Sequence, residues 1–437
     1  MAKIVNISGF PEWLPQQKII EDRVINTVRS IYESHGFAPI ETRSVELLST
    51  LSSKGEINKE VYTLQRAQSN ESEQSDSTLA LHFDLTIPFA RYVAQNFSEL
   101  DFPFKRYQLQ KSWRGERPQE GRFREFYQFD VDVVSIDDLP LCHDAEMITI
   151  IYKALSKLKL GEFKIKVNNR KLLLGIYEHF GLSTDQRAEA VIIVDKILKI
   201  GADLVITELK SKGVSENVAQ EIVKISKMQL SIPEFLSTID SLGPCNETFK
   251  AGVTELRTIL DLLIEEAREN VVVDLSLARG LDYYTGTIIE TVLTEYTSFG
   301  SIAGGGRYEN LTERFSNKRL PGVGISIGIT RLMSLIIAKN LIEPKEKCPT
   351  QLLITLNSEP ELKPCIQLAE RFRTDGISVE IFHKPSKLGK QIDYADKKGI
   401  RFVLFQSEAG DYQIKDLLTK EQKSLSVPEI IAAIKTG

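Results

Sequence analysis

The sequence predicts an α+β body with an antiparallel sheet flanked by helices, a helical insertion within that body, and a small α/β domain at the C-terminal end. Three observations predict it. Tyr107–Arg114 and Glu125–Val134 alternate in polarity on either side of a loop carrying Gly115, Pro118 and Gly121, as the strands of an antiparallel hairpin do. Residues 169–270 change to apolar spacings of three and four. From residue 344 onward, strand and helix patterns alternate. The length of 437 residues, against ~150 for one domain, accommodates this division.

Taken in order, Gln17–His35 places Ile20, Val24, Val28 and Ile31 on one helical face, with Gly36 as the expected C-cap. Arg66–Ser77 is polar except for Ala67 and reads as a solvated loop or hairpin tip. In the hairpin, Tyr107, Leu109 and Trp113 oppose Gln108, Gln110, Ser112 and Arg114, as in a half-buried strand. Its partner sets Gln128, Asp130 and Asp132 opposite Phe129, Val131 and Val133, and the loop between should be long, basic and mobile. Within the insertion, Ala188–Ile200 and Val218–Met228 read as helices. Val271–Leu275, Thr287–Leu293 and Ser301–Ala303 then resume as strands, and strand Val323–Ile329 leads into helix Thr330–Lys339. The last domain reads as strands Gln351–Leu356, Ser378–Phe382 and Phe402–Gln406 with helices Glu361–Arg373 and Lys390–Lys398, a partly parallel sheet.

Composition narrows the function class. Hydrophobic residues at 42% and charged residues at 26% exclude a disordered or collagen-like chain. No apolar run approaches the ~20 residues of a membrane span, and Met1–Ile7 lacks a signal peptide's apolar stretch, so the expected location is the cytoplasm without membrane attachment. Cys142, Cys245, Cys348 and Cys365 are far apart and form no CxxC pair, which indicates reduced thiols rather than a disulfide framework or zinc site. The net charge of -5 argues against indiscriminate nucleic-acid binding, yet Lys105–Arg124 holds seven basic residues against two acids.

Gly324-Ile325-Ser326-Ile327-Gly328 matches the nucleophile-elbow pattern of hydrolases, but Val323, Ile325, Ile327 and Ile329 alternate straight through it. Ser326 therefore belongs inside a strand, where an elbow cannot form. The basic loop is more informative. Arg114, Arg117, Arg122 and Arg124 offer guanidinium forks suited to phosphate oxygens, beside a sheet face bearing carboxylates. Such a charge run can be only a solvated loop, and the carboxylates can be partners in a structural ion-pair network. Gly304-Gly305-Gly306-Arg307-Tyr308 reads either as a strand end or tight turn, or as backbone brought against a ligand with Arg307 or the tyrosines closing on it. His82 and His143 read as structural, without an acid or cysteine cluster at metal spacing.

These residues carry a resemblance to the histidyl-tRNA synthetases of the class II synthetase superfamily, over essentially the whole chain. Arg279-Gly280-Leu281-Asp282-Tyr283-Tyr284-Thr285-Gly286 and Gly304–Tyr308 resemble the two peptides peculiar to the histidine enzymes, and Leu81–Tyr92 resembles their amino-acid-binding segment. Trp113 through Asp132 resembles motif 2, Gly324–Leu332 motif 3, and the last domain, with Lys387–Gln391 and Tyr394–Gly399, the anticodon-binding domain. The resemblance departs at motif 1, the family's dimer-interface segment, where Arg43 stands in place of a proline.

The resemblance implies a class II catalytic domain in two parts, 1–168 and 271–343, a helical insertion at 169–270, and an anticodon-binding α/β domain at 344–437. It implies ATP-dependent attachment of histidine to its tRNA through a histidyl-adenylate, with Mg2+ beside the phosphates and a homodimer as the working form. Arg114 would hold the α-phosphate and Arg279 would bridge it to the substrate carboxylate. Arg122 and Arg331 would meet the outer phosphates and the adenine face, Glu116 the adenine amino edge, and Phe126 would stack on the base. Asp84, Thr86 and Gln128 fall to the amino and carboxylate groups of histidine, and Asp132 and Tyr284, with Tyr283 nearby, to its imidazole. A carboxylate and a phenol facing the two ring nitrogens would reject analogues by roughly 10⁴–10⁵, without an editing domain. The rival within the family is a catalytically silent paralogue regulating ATP phosphoribosyltransferase. That relative lacks the C-terminal domain, which this chain has.

Overall fold

A computed structural model describes residues 4–51, 60–67, 78–242, 246–278, 284–309, 312, 315–343, 347–406 and 411–436. The polar stretch 68–77, Cys245, Arg279 and Tyr283 lie outside the described residues. The chain divides into two compact units, Met1–Pro11 with Val24–Leu341, and Glu12–Arg23 with Ile342–Gly437.

The described strands of the first unit are β1 (Ala38–Pro39), β2 (Val45–Leu47), β3 (Thr63–Leu64), β4 (Leu79–Leu81), β5 (Phe104–Trp113), β6 (Glu125–Val134), β7 (Phe163–Asn169), β8 (Gln229–Ser231), β9 (Val271–Asp274), β10 (Tyr284–Leu293), β11 (Ala303–Tyr308) and β12 (Gly322–Gly328). Among these, nine form one sheet in the order β1-β5-β6-β12-β11-β10-β7-β9-β8, and three form a small sheet, β2-β4-β3. From β5 across to β7 every pairing is antiparallel. The entry helix runs Pro15–Ser34. It ends as expected at Gly36, whose φ of +79° suits glycine, with Gly36 N–H bonded to Glu33 O at 2.9 Å and Phe37 N–H to Tyr32 O at 3.1 Å. Tyr32 beneath the sheet meets the edge of Phe129, ring centroids 4.9 Å apart.

β5 and β6 pair from Phe104 against Val134 to Trp113 against Glu125. The expected half-buried strand is corrected here: the polar face of β5 is the more deeply buried one. Arg106, Gln108 and Ser112 are fully enclosed and Gln110 nearly so, whereas Leu109 and Trp113 are only partly covered. Cover from the helix Thr86–Gln95 explains this, since Phe89 places its ring 4.0 Å from the Arg106 guanidinium carbon. The side chains of Arg106, Gln108 and Gln110 are then linked as a ladder. Arg106 Nη1 donates to Gln108 Oε1 at 3.4 Å, and Gln108 Nε2 donates to Gln110 Oε1 at 2.6 Å and to Thr42 Oγ1 at 2.9 Å. Gln110 Nε2 donates to Thr42 O and Ser44 Oγ, both at 2.9 Å. The loop after β5 is braced rather than open: Arg114 N–H bonds to Arg124 O at 2.9 Å, and Gln119 and Arg122 form a small bridge.

The three glycines are not a turn. They lie inside β11, which begins where the sequence suggested a strand end. A Cβ on Gly305 would fall 2.0 Å from Gly324 O, and one on Gly306 2.5 Å from Thr287 O, so neighbouring backbone demands glycine there. The adjacent Arg307 is likewise corrected from a ligand-closing role. It is buried and donates from Nε to Asp144 Oδ1 at 3.1 Å. Ser326 sits inside β12, and helix Ile329–Lys339 follows that strand.

Between β7 and β9 the chain is mostly helical: the expected helix Ala188–Ile200 is split at Asp195–Lys196 into Thr184–Val194 and Ile197–Ile200, and Glu216–Ser226 overlaps the expected Val218–Met228. It is tied to the main sheet by β8, which pairs with β9. Helices Arg170–His179 and Glu247–Asp261 cross at backbone contact: an added Cβ on Gly175 would meet Phe249 N at 2.5 Å, and one on Gly252 would meet Leu172 N at 2.3 Å.

The second unit holds β13 (Leu352–Ile354), β14 (Val379–Ile381), β15 (Phe402–Gln406), β16 (Tyr412–Asp416) and β17 (Gln422–Ser424), ordered β14-β13-β15-β16-β17. β13 is parallel to β14 and β15, and β16 antiparallel to β15. Leu352 and Ile354 pack with Phe372 and Ile430, while Leu353 packs with Val403 and Ala395, so both faces are covered. The fully buried Gln391 fixes the chain after β13, accepting from Leu356 N–H at 2.8 Å and donating to Leu356 O at 3.0 Å. No helix among the described residues is long and apolar enough to cross a membrane.

Candidate functional site

Because side chains alternate along a strand, one face of the main sheet collects Gln128, Asp130 and Asp132 from β6, Ser326 and Gly324 from β12, Tyr308 from β11 and Tyr284 from β10. This face floors a cleft of about 380 Å³ whose walls include Asp84, Thr86, Arg114 and Glu290. A second cleft of about 130 Å³ is lined by Arg114, Glu116, Arg122, Phe126, Gln128 and Arg331. Arg114 and Gln128 belong to both. Of the sequence-predicted site residues, the structure therefore brings together Asp84, Thr86, Gln128, Asp132 and Tyr284 in one cleft and Arg114, Glu116, Arg122, Phe126 and Arg331 in the other.

Asp84 precedes the helix Thr86–Gln95. Its Oδ1 accepts from Ile87 N–H at 3.2 Å, while its Oδ2 is buried without a hydrogen-bond partner. Burial pushes its carboxyl up to about 6 despite backbone donors and Arg114. Gln128 donates from Nε2 to Ser326 Oγ at 3.2 Å, and its Oε1 is left as a buried acceptor. Asp132 is already partnered on both oxygens: Arg106 Nη2 lies 2.7 Å from Oδ2, and Tyr308 OH donates to Oδ1 at 3.1 Å. Gly324 leaves the room this carboxylate needs, since a Cβ there would stand 1.9 Å from Asp132 Oδ1. Burial pushes the Asp132 carboxyl up, opposed by Arg106 and Tyr308.

Asp130, in register with Ser326, is buried with Oδ1 unpartnered. Desolvation raises its carboxyl to about 7; Arg106 opposes the rise and Asp132 adds to it. The strand alternation places Asp130 beside Gln128 and Asp132, but the resemblance assigns it no role. Arg106 and Tyr308 also have no assigned role there. Their signal is long-range, since Arg106 and Tyr308 meet Asp132 across 26 and 176 residues of chain.

The second cleft is cationic. Arg114 donates from Nε to Phe83 O at 3.0 Å, and its guanidinium carbon lies 5.1 Å from the Phe126 ring centre. Arg331 is aimed by bonds from Nε to Gly121 O at 2.7 Å and from Nη1 to Ser301 O. Desolvation, with Arg122 and Arg114 nearby, lowers its proton affinity, as expected where cations are gathered for an anion. Arg122 Nη1 lies 3.3 Å from Glu116 Oε2. Among the described residues, no group of three or more His, Cys, Asp and Glu is placed to hold a metal ion. His82 sits between carbonyls, 2.7 Å from Lys111 O and 3.3 Å from Arg43 O.

The sequence matches the family model for histidyl-tRNA synthetase over residues 9–332 and that for an anticodon binding domain over residues 351–437. It is 45% identical over 419 residues to a histidine–tRNA ligase of Thermobifida fusca, covering 95% of each chain. It is 41% identical over 437 residues to one of Micrococcus luteus, covering 97% of this chain and 95% of the relative. Among solved structures, a histidyl-tRNA synthetase from Nostoc sp. PCC 7120 aligns over 100% of both chains with a TM-score of 0.88 and 35% identity. A Bacillus halodurans chain described as an ATP phosphoribosyltransferase regulatory subunit/histidyl-tRNA synthetase shares the fold, with a TM-score of 0.73 at 20% identity over 93% of this chain and 98% of that one.

Proposed function

We infer the working of these clefts from one premise: the chain belongs to the histidyl-tRNA synthetase family and is an enzyme that attaches histidine to tRNA, using ATP. The regulatory-paralogue reading is the weaker one, since full-length relatives at 41–45% identity are ligases. The observation that carries the site assignment is the sharing of Arg114 and Gln128 between the carboxylate cleft and the arginine cleft. A substrate carboxylate in the first and an ATP α-phosphate in the second would meet at that junction.

Asp84, Thr86 and Gln128 would take the ammonium and carboxylate of histidine, with the unpartnered Asp84 Oδ2 and Gln128 Oε1 as acceptors. Tyr284 and the Asp132–Tyr308 pair would shape the imidazole end. Arg114 would bind the α-phosphate, while Arg122 and the pre-aimed Arg331 would bind the outer phosphates and adenine face. Glu116 and Phe126 would take the base. Positioning two anions for in-line attack and stabilising the charge that develops is the whole catalytic task. Arg279, outside the described residues, would bridge carboxylate and phosphate. Mg2+ bound with the phosphates would neutralise their charge. Such a site needs only one or two carboxylates beside phosphate oxygens, and Glu290, which lines the first cleft within electrostatic reach of Arg331, would supply one.

The catalytic domain would comprise 1–168 and 271–343, the insertion 169–270 and the anticodon-binding domain 344–437. The working form would be a cytoplasmic homodimer. At the motif 1 position lacking proline, Arg43 Nη2 lies 2.6 Å from Glu46, which Arg91 also holds at 2.7 Å. Deleting Cys348–Gly437 is expected to spare histidine-dependent ATP–pyrophosphate exchange while impairing tRNA charging; charging at the full rate would remove the anticodon-binding assignment. Arg279→Ala is expected to depress adenylate formation far more than ATP binding. Single-turnover adenylate formation alongside ATP affinity checks this, and parallel losses would dismiss the bridging role.

A further inference from the structure

The site contains more acceptors than it has a use for when empty. On its floor Gln128 donates to Ser326, Ser326 to Asp130 and Tyr308 to Asp132, and Arg106 lies beside Asp132. Left over are the buried oxygens Asp84 Oδ2, Gln128 Oε1 and Asp130 Oδ1. A buried acceptor without a donor is destabilising, so the bound substrate should supply N–H groups here.

Charge gives the same direction. Arg106 pairs with Asp132, and Asp84 and Asp130 are two further carboxylates lining the cleft, with Arg114 as the cation nearer Asp84. Histidine can present two cations, its ammonium and an imidazolium. A neutral imidazole would offer one N–H where an imidazolium offers two, and so would answer fewer of these acceptors.

Resting on the reading of this cleft as the histidine site, we propose that the enzyme binds histidine as the imidazolium, with one ring N–H held by the unpartnered Oδ1 of Asp130. Asp130 is thereby a specificity-determining residue, and imidazole and carboxylate share one bound proton. The groups facing Asp130 are Arg106 on β5, Asp132 on its own strand, Ser326 on β12, Tyr308 through Asp132, Asp84 ahead of its helix, and Tyr32 below. Free imidazole titrates near ~6.5 and burial lifts the Asp130 carboxyl to about 7. At pH 8 both are therefore mostly deprotonated before binding, and the complex must take up a proton. Near pH 5.5 both are protonated and the complex must release one.

The test is calorimetric titration of histidine into the full-length enzyme in two buffers of different ionisation enthalpy. Uptake of about one proton at pH 8 is expected, with affinity falling by about tenfold per pH unit between 7.5 and 8.5. In Asp130→Asn, the uptake should vanish and that slope should flatten. Binding without proton uptake in the unmodified enzyme, or equal uptake in Asp130→Asn, overturns the proposal while leaving the histidine site standing. Failure of histidine to bind at all would bring down both.

Discussion

Arg114→Ala is expected to slow histidine-dependent exchange of pyrophosphate into ATP by about 10²–10³-fold, the range for removing one preorganised charge from a transition state. The guanidinium is already oriented, by its bond to Phe83 O at 3.0 Å and by the Phe126 ring 5.1 Å away. Little reorganisation is then left for the moment of reaction, so its removal should lower turnover rather than affinity. Arg114→Lys should retain the charge but lose the planar fork, and most of the defect should persist. Steady-state exchange kinetics for both variants, with thermal unfolding as a check on folding, give the comparison. An Arg114→Ala enzyme whose only change is weaker ATP binding would move this residue out of the reacting centre.

Gly305→Ala is expected to destabilise the catalytic sheet by about 3 kcal/mol, at the upper end of ordinary overpacking. The added Cβ would lie 2.0 Å from Gly324 O and 2.6 Å from Ile325 Cα. Both are backbone atoms of β12, so the strand itself must move, and with it the Gly324 position that leaves room for Asp132. Gly389→Ala is the control. Nothing lies within 4 Å of an added Cβ there, inside helix Leu388–Lys398, and a gain of about 0.5–1 kcal/mol is expected. Denaturant unfolding of the two variants should therefore diverge in sign. An unchanged midpoint in Gly305→Ala would show that β11 and β12 part easily.

Much of this architecture could be read from local pattern. Period-two alternation gives β5 and β6 and places Gln128, Asp130 and Asp132 on one face, because that face is a property of the strand alone. Which face is enclosed is not. The burial of Arg106, Gln108 and Gln110 depends on Phe89 and Thr42, residues from other segments of the chain. The same limit explains why a turn is one reading of the glycines: carbonyl oxygens from β10 and β12 crowd them, and no window around Gly304–Gly306 contains those. Arg307, read beside those glycines, belongs to Asp144, 163 residues away. The clefts follow this rule too. The motif resemblance names residues for both, while the occupied state of Asp132 and the vacant oxygen of Asp130 emerge only once Arg106 and Tyr308 are in place.

The buried ladder on β5 also bears on how the molecule avoids assembling wrongly. A slip of β5 by one residue against β6 exchanges its two faces. Tyr107, Leu109 and Lys111 would then occupy the interior, and Thr42, Ser44 and the Asp132 carboxylate would lose the donors that now reach them. With each abandoned buried group costing about 1–3 kcal/mol, misthreaded hairpins lie several such penalties above the native one. An apolar face in the same place would tolerate the slip, since leucine and tyrosine accept almost any greasy neighbour. The polar residues make the error self-defeating, and a newly made chain is steered to the one threading in which the Gln108 and Gln110 amides are answered.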